Sequence, residues 1–372
     1  HGQEARWQGR FDEQLGILYN AHANHTNMQS VFSPLMLFSG AVSGLFILGY
    51  GGRQVAEGTL TVGDFVAFTG YLALLIWPTI GLGWILTVMQ RGLAALDRLH
   101  MVLSLPVVHR QEEGVEETER WRGEIQVKDL TFAYGGSEQP VLKNLSLSVA
   151  PGAFVGLVGR VGCGKSALLN CLANLYPVPA GTVFLDGREI NTIPEAVLRH
   201  NLTMAPQESF LFSIPVVENL LYGREESTEE EGWRLAEQVS LAEEIKIFPK
   251  GMQTLVGERG ITLSGGQRQR VALARALAMH TPIVLLDDIF SSVDARTEAA
   301  ILQHLFHGQS SRPTVVMVCH RVAALHQAEV IHVMEEGRIV ASGTHQQLLT
   351  QSPLYGELHQ RMARAEALES LQ

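Results

Sequence analysis

The run Gly159-Arg160-Val161-Gly162-Cys163-Gly164-Lys165-Ser166 fits G-x-x-x-x-G-K-[ST], the Walker A pattern of a phosphate-binding loop. Glycines let the backbone curl round an anion, so that the loop's N–H groups, those of Arg160 and Cys163 included, point inward. Lys165 reaches for the outer phosphates, and the Ser166 hydroxyl is placed to ligate magnesium. A second feature is the apolar run Ile283–Leu286, which ends in Asp287 and Asp288. A buried strand that delivers an aspartate at its C-terminal end is the Walker B arrangement, with Asp287 holding magnesium through water. A third is Leu263-Ser264-Gly265-Gly266-Gln267, followed by a helical pattern through Met279. Ser264 can cap that helix while the two glycines bare backbone N–H groups, which makes a second anion site. One nucleotide does not need two cradles in one domain. The second is expected to serve a nucleotide held by another copy or a partner.

Such groups need a scaffold that brings strand ends together. Ala153–Val158 reads as a buried strand and Ala167–Leu175 as the helix after the loop. Ile125–Val127, Leu145–Val149, Gly181–Leu185 and Val315–Val318 read as further strands, the last ending at Cys319-His320. Alternating strands and helices predict a mostly parallel sheet with its sites at the C-terminal strand ends. Tyr134, shortly before the loop, is a candidate to stack on an adenine ring; the competing reading is a core or edge aromatic.

The chain has 372 residues, enough for two or three domains, and a formal net charge of -10. No basic stripe is present to neutralise phosphates, which argues against a nucleic-acid partner. Cys163, Cys171 and Cys319 lack metal-site spacing and read as reduced thiols of a cytoplasmic domain. His22 and His25 lie close together but read as a polar helix face. The first residue is not Met, and residue 1 is expected not to be the natural start.

Before the loop domain, Val31–Tyr50 and Phe65–Met89 carry no charge. Each is long enough to cross a hydrocarbon core of about 30 Å as a helix. Spans are expected over about 28–50 and 65–90, joined by a tight glycine-rich loop at Gly51–Asp64. Arg6, Arg10, Arg91 and Arg98 flank the pair, which places both ends in the cytoplasm. Pro106 ends the second helix, and the acidic stretch Glu112–Glu119 makes 106–123 a solvated linker. The loop domain then occupies 124–350, and a helix over Ser352–Leu371 closes the chain.

Taken in order, these motifs resemble the ATP-binding cassette (ABC) exporters of the half-transporter type. Leu263–Gln267 is identical to that family's signature. Pro206-Gln207 with Leu211-Phe212-Ser213 resembles its Q-loop, Gly257–Gly260 the exporter segment before the signature, and Ser291–Asp294 the D-loop. His320-Arg321 resembles the switch histidine, and Gly343-Thr344-His345 the C-terminal end. The resemblance implies a membrane all-α helical hairpin followed by an α/β P-loop NTPase cassette with a RecA-like core, an antiparallel β subdomain and a helical signature subdomain. This chain would hold only the last two of the family's transmembrane helices, as a fragment does.

The resemblance also implies roles. Tyr134 stacks on the adenine of ATP, and Gly159, Arg160, Gly162, Cys163, Gly164, Lys165 and Ser166 wrap the phosphates. Ser166, Gln207 and Asp287 complete the Mg2+ shell. Ser264, Gly265, Gly266 and Gln267 clamp the γ-phosphate of the facing subunit, His320 contacts the chain's own, and Asp294 lets the two sites communicate. Membrane lipid and a transported substrate of unread chemistry are further partners. A bacterial inner membrane, with the cassette cytoplasmic, is the implied location.

One position departs from the pattern. The family has Glu after the Walker B aspartate, and this chain has Asp288. The shorter side chain draws the carboxylate back, and displacements of about 1 Å can cost on the order of a hundredfold in rate. General-base help is itself worth roughly a hundred- to ten-thousandfold. Slow hydrolysis at this chain's own site is expected. With its signature intact, the chain is expected to pair with a different half-transporter that supplies the missing Glu; the alternatives are a homodimer working through Asp288 or a mainly regulatory ATP-binding subunit.

Overall fold

The computed structural model describes residues 4–104, 121–137, 139–224, 228–260, 262–306 and 312–369. The chain divides into two compact units, His1–Val108 and His109–Gln372.

The first unit is a helical hairpin. Helix α1 (Glu4–Phe46) runs through one wide turn, Ile47–Gly51, into α2 (Gly52–Ala56). Helix α3 spans Val62–Leu103. The loop expected at Gly51–Asp64 is therefore mostly helical, and the reversal is confined to 57–61. Gly58 turns the chain at φ 72°. Thr61 then starts α3 with a capping box: its hydroxyl accepts from Asp64 N at 3.2 Å, and the Asp64 carboxylate accepts from Thr61 N at 3.3 Å.

The spans expected over about 28–50 and 65–90 are not recovered as such among the described residues. Among the described residues no helix is long and apolar enough to cross a membrane. The runs at 28–50 and 65–90 sit inside two helices longer than expected, and side chains at 28–29, 32–33, 36–37, 76, 79–80, 83 and 86–87 lie outside the described residues. Many of the described apolar side chains of α3 are exposed, Phe68, Leu74, Trp77 and Trp84 among them.

The second unit begins earlier than expected. Linker residues 106–120 lie outside the described residues, but Trp121 is already buried in the cassette core. The N–H groups of Arg122, Gly123 and Glu124 all donate to the Asp186 carboxylate, at 2.6, 3.1 and 2.7 Å. One aspartate thus fixes where the chain joins the fold.

Two sheets follow. Strands β1 (Ile125–Phe132), β2 (Leu142–Val149), β4 (Val183–Leu185) and β5 (Arg188–Glu189) form an antiparallel sheet in the order β2-β1-β4-β5. Strand β3 (Phe154–Gly159) lies within a six-stranded sheet of order β10-β9-β3-β8-β7-β6. Its other members are β6 (Leu202–Ala205), β7 (Ile283–Leu286), β8 (Thr314–Val318), β9 (Val330–Glu335) and β10 (Arg338–Gly343). All pair in parallel except β10, which folds back on β9. Successive residues of a strand point to opposite faces, so each buried strand feeds two cores. Val155, Leu157 and Leu285 enter one; Val158, Val284 and Leu286 enter the other. This is why the strands read as continuous apolar runs.

Helix α4 (Lys165–Leu172) follows the phosphate loop, and α5 (Glu195–Asn201) precedes β6. Helices α6 (Val216–Leu220), α7 (Glu229–Gln238), α8 (Ala242–Ile247) and α9 (Gly265–Ala278) contribute to one core with Met252 and Val256. Helix α10 (Ala295–Phe306) follows β7, and α11 (Val322–Gln327) follows β8. Helices α12 (His345–Gln351) and α13 (Pro353–Glu369) end the described chain. The C-terminal helix packs on its own cassette, with Tyr355 and Leu358 buried in the core.

One core position carries a charge problem. Glu298 of α10 is 1 % exposed. Its Oε2 makes no hydrogen bond and faces Arg321 Nε at 3.6 Å. Burial pushes its carboxyl from 4.5 up to about 8 against the pull of Arg321. The folded chain therefore holds a proton that the unfolded chain has released between those two pH values, so stability falls as pH rises across that window. Replacing Glu298 by Gln removes the titration. The variant's apparent Tm is expected to stay flatter than the parent's from pH 4.5 to about 8, read by thermal melts at several pH values.

Candidate functional site

The phosphate loop starts where β3 ends. Gly159 is required by contact: a Cβ there would run into the Met334 carbonyl of β9 and come within 2.7 Å of Cys163 Sγ. Gly164 is required twice, by φ 104° and by Leu142 Cδ2 at 2.9 Å from a built Cβ. The Lys165 ammonium is buried under the loop, where it donates to the Gly159 carbonyl at 2.8 Å and the Arg160 carbonyl at 3.1 Å. Arg160 offers the loop its backbone only. Its guanidinium turns away to Glu357 of α13, at 3.1 Å. The Cys163 side chain is likewise buried below the loop.

Strand β7 brings Asp287 to the same place. Ser166, in the first turn of α4, hydrogen-bonds its carboxyl, while Oδ1 is buried without a hydrogen-bond partner. Burial raises this carboxyl's pKa, and Ser166, Lys165 and His320 pull it back. A buried carboxylate oxygen left unpaired beside a hydroxyl suits a hard dication, whose ligands are oxygens. The residues present fit magnesium on that ground.

Asp288 follows at φ 48°, a left-handed conformation that aspartate tolerates better than most residues. Gln207, two residues beyond β6, donates Nε2 to Asp288 Oδ2 at 3.1 Å. His320 stands at the solvent-facing end of β8 and interacts with both aspartates. Burial raises Asp288, opposed first by His320; burial lowers His320, opposed first by Asp288. The carboxyl holds its proton to a higher pH than an ordinary aspartate, and the imidazole stays neutral to a lower one. The ends of β3, β6, β7 and β8 thus assemble Lys165, Gln207, Asp287, Asp288 and His320, with Ser166 beside them.

Tyr134 is half-buried. It packs edge-on with Phe132 and Tyr176, both at 5.1 Å between ring centroids, and its hydroxyl bonds Asn170 of α4. Its surroundings give it a packing role in addition to the stacking one expected.

The signature segment has the expected cap and one unexpected constraint. Ser264 Oγ accepts from Gln267 N at 3.2 Å, and Gln267 Oε1 accepts from Ser264 N at 2.8 Å, a complete capping box at the head of α9. The glycines do more than bare their N–H groups. A Cβ on Gly266 would stand 2.5 Å from the Ser292 carbonyl, and one on Gly265 would stand 3.2 Å from Ser292 Cβ. They let α9 lie against the segment after Asp288. Gln269 ties the two together: its Nε2 donates to Ser291 Oγ at 2.6 Å and its Oε1 accepts from Ser292 N at 2.7 Å. Asp294 caps α10 by accepting from Thr297 N at 2.9 Å, and hydrogen bonds from the Thr297 side chain and then its backbone hold the Asp294 carboxyl below the usual range.

Two positioning residues escape sequence reading. One is Gln269. The other is Arg275, which donates to the carbonyls of Asn219 and Phe210 at 3.1 and 3.0 Å and lies over the rings of Phe212 and Tyr222. It anchors α9 to the segment that follows Gln207. The helical spacing of Arg275 was visible; its partners, more than fifty residues away, were not.

Comparison with known proteins bears on this constellation. Residues 142–291 match the sequence profile of the ABC transporter family. That stretch is an ABC transporter ATPase domain. The ABC cassette and the residues before it are also similar to longer proteins. A probable multidrug resistance ABC transporter ATP-binding/permease protein, YheI of Bacillus subtilis, is 36 % identical over 362 residues, covering 96 % of this chain and 61 % of the relative. An ATP-dependent lipid A-core flippase of Vibrio cholerae is 34 % identical over 359 residues, with the same coverage of 96 % and 61 %. The solved structure of a bacterial Atm1-family ABC exporter with ATP bound matches with a TM-score of 0.87 at 30 % identity, over 97 % of this chain and 64 % of that one. The chain thus spans about three-fifths of the length of the curated relatives it matches.

The contact between Gly266 and Ser292 gives a test. Gly266→Ala leaves the phosphate loop intact but forces α9 off Ser292. ATP turnover is expected to fall at least tenfold while binding of a fluorescent ATP analogue stays within about twofold of the parent, a split read by parallel ATPase and equilibrium-binding assays.

Proposed function

We propose that this chain is the ATP-binding part of an ABC exporter, which couples ATP binding and hydrolysis at a pair of cassettes to movement of a substrate across a membrane. The observation that carries this reading is the gathering of Lys165, Ser166, Asp287, Asp288, Gln207 and His320 at one sheet end, in a chain that also holds a capped, glycine-built second cradle at Ser264–Gly266. In this reading the loop backbone from Gly159 to Gly164 binds the phosphates and Lys165 leaves the loop carbonyls for the outer ones. Ser166, Asp287 and Gln207 hold magnesium, which offsets phosphate charge when bound. Asp288 accepts a proton from the attacking water, Gln207 and His320 orient it, and Tyr134 flanks the base. Ser264, Gly265, Gly266 and Gln267 act on the nucleotide of a second chain, with Asp294 next to that contact.

Export is supported by the names of the longer relatives, and a lipid-like or drug-like amphiphile is the substrate class they suggest. The exposed apolar side chains of α3 support a membrane setting, since a patch of that size needs a cover other than water. The same relatives support a bacterial cell membrane, an inner membrane where there are two, with the cassette on the cytoplasmic side.

Whether two identical chains or two different ones pair turns on Asp288. Its left-handed backbone and its bond to Gln207 account for an aspartate locally, without a partner that supplies a glutamate. We therefore take the homodimer as the first reading and the unequal pair as the second, kept by the short reach of Asp288. Steady-state ATP turnover of the lipid-reconstituted protein decides between them. Lys165→Ala is expected to abolish nucleotide binding. Asp288→Asn is expected to lower kcat by on the order of a hundredfold or more if Asp288 is the working base, with ATP binding retained. Asp288→Glu raising kcat would identify carboxylate reach as the limit, and loss of no activity in Asp288→Asn would remove this residue from the mechanism.

A further inference from the structure

Three helices at the C-terminal end of the cassette turn one histidine each toward a common point. His326 lies on α11, His345 on α12 and His359 on α13. One ring nitrogen from each falls within 4.8 Å of the other two. The ring centroids of His326 and His345 are 4.3 Å apart, and those of His345 and His359 are 5.1 Å apart. His345 alone has an ordinary explanation, because its Nδ1 is hydrogen-bonded to the buried Tyr355 hydroxyl at 2.6 Å. The other two do not. His359 Nε2 is buried and makes no hydrogen bond, and His326 is exposed on the side that opens to solvent.

We propose that His326, His345 and His359 form a binding site for a borderline divalent transition-metal ion, with Zn2+ as its working occupant. Imidazole nitrogens suit such ions, whereas magnesium and calcium call for oxygen ligands that this cluster does not offer. Zinc–nitrogen bonds are about 2.0–2.1 Å, which in a tetrahedral site puts the nitrogens roughly 3.4 Å apart. The cluster needs to close by about an ångström, within the reach of side-chain rotation at exposed His326 and half-buried His359. The Tyr355 hydroxyl on Nδ1 orients the His345 ring and leaves its Nε2 to the ion, the outer hydrogen bond that metal-bound histidines usually make. Solvent on the His326 side fills the fourth position. The bound ion would staple α11, α12 and α13 together. Helix α11 begins two residues after His320, and α13 already reaches it through Glu366, whose Oε1 accepts from Val322 N at 2.7 Å.

The test uses the full chain in detergent, prepared without a polyhistidine tag and stripped with chelator. Zn2+ is titrated in competition with a chromophoric chelator, and Co2+ is titrated separately for its visible absorption. One equivalent of Zn2+ per chain is expected, with a tetrahedral-type Co2+ spectrum. His326→Asn, at an exposed position where the fold is not at stake, is expected to weaken binding at least tenfold, and His359→Asn to do the same. The double variant is expected to lose the site, including its Co2+ absorption. No uptake by the parent chain overturns the proposal, as does uptake unchanged in His326→Asn. Because His326 decides the matter alone, a folding defect in His359→Asn leaves the result readable.

Discussion

The cassette is built around a buried ammonium. Lys165 lies under its own loop, and a charge removed from water must find acceptors or shift its protonation. The carbonyls of Gly159 and Arg160 supply them. They can do so because the loop folds tightly over the lysine, and that tightness needs no side chain at Gly159, where Met334 of β9 presses in. From this one arrangement the neighbours follow. Strand β9 must lie beside β3, and β7 must end where Asp287 meets Ser166. The head of α4 must start at a residue with positive φ. The most chemically loaded point of the chain is also the point where four strands are held in register.

A second set of constraints ties the chemistry to its surroundings. Gln269 and the side-chain-free surface of Gly265 and Gly266 fasten α9 to Ser291 and Ser292, only three or four residues past Asp288. Arg275 fastens the same helix to the segment after Gln207. A displacement of α9 would therefore be felt at both Gln207 and Asp288, the two groups that share a hydrogen bond at the strand ends. The coupling runs through packed backbone and two polar side chains, with discrete partners on each side.

How much of this was legible in the sequence depended on distance along the chain. The loop, the acidic end of β7 and the serine cap of α9 are local patterns, each carried by fewer than ten consecutive residues, and each is found where expected. The hairpin of β9 and β10 was not read. Its turn is Glu336-Gly337, both at positive φ, and glutamate is a weak signal for a turn that asparagine or aspartate usually marks. The start of α3 was placed too late although Thr61 and Asp64 have capping-box spacing, because the apolar run drew the boundary instead. Trp121 looked like linker because its burial depends on Asn201 and Asp186, far downstream. The three C-terminal histidines are 19 and 14 residues apart, spacings that match no metal motif. Only the folding of three helices onto one corner brings them together. The apolar runs of the first unit were plain in the sequence, yet their meaning as spans is not one the described helices carry by length and hydropathy.

All three native sulfhydryl groups, those of Cys163, Cys171 and Cys319, are sealed inside the cassette. Burial also pushes the Cys171 thiol up to about 12 and the Cys319 thiol higher still, so at those two positions the nucleophilic thiolate is scarce at neutral pH. This chain is thus close to a blank background for maleimide or spin-label chemistry. A single cysteine introduced on the outer face of α9 or α13 would carry a probe almost alone, and separations between cassettes could be followed without first stripping the chain of its own sulfur.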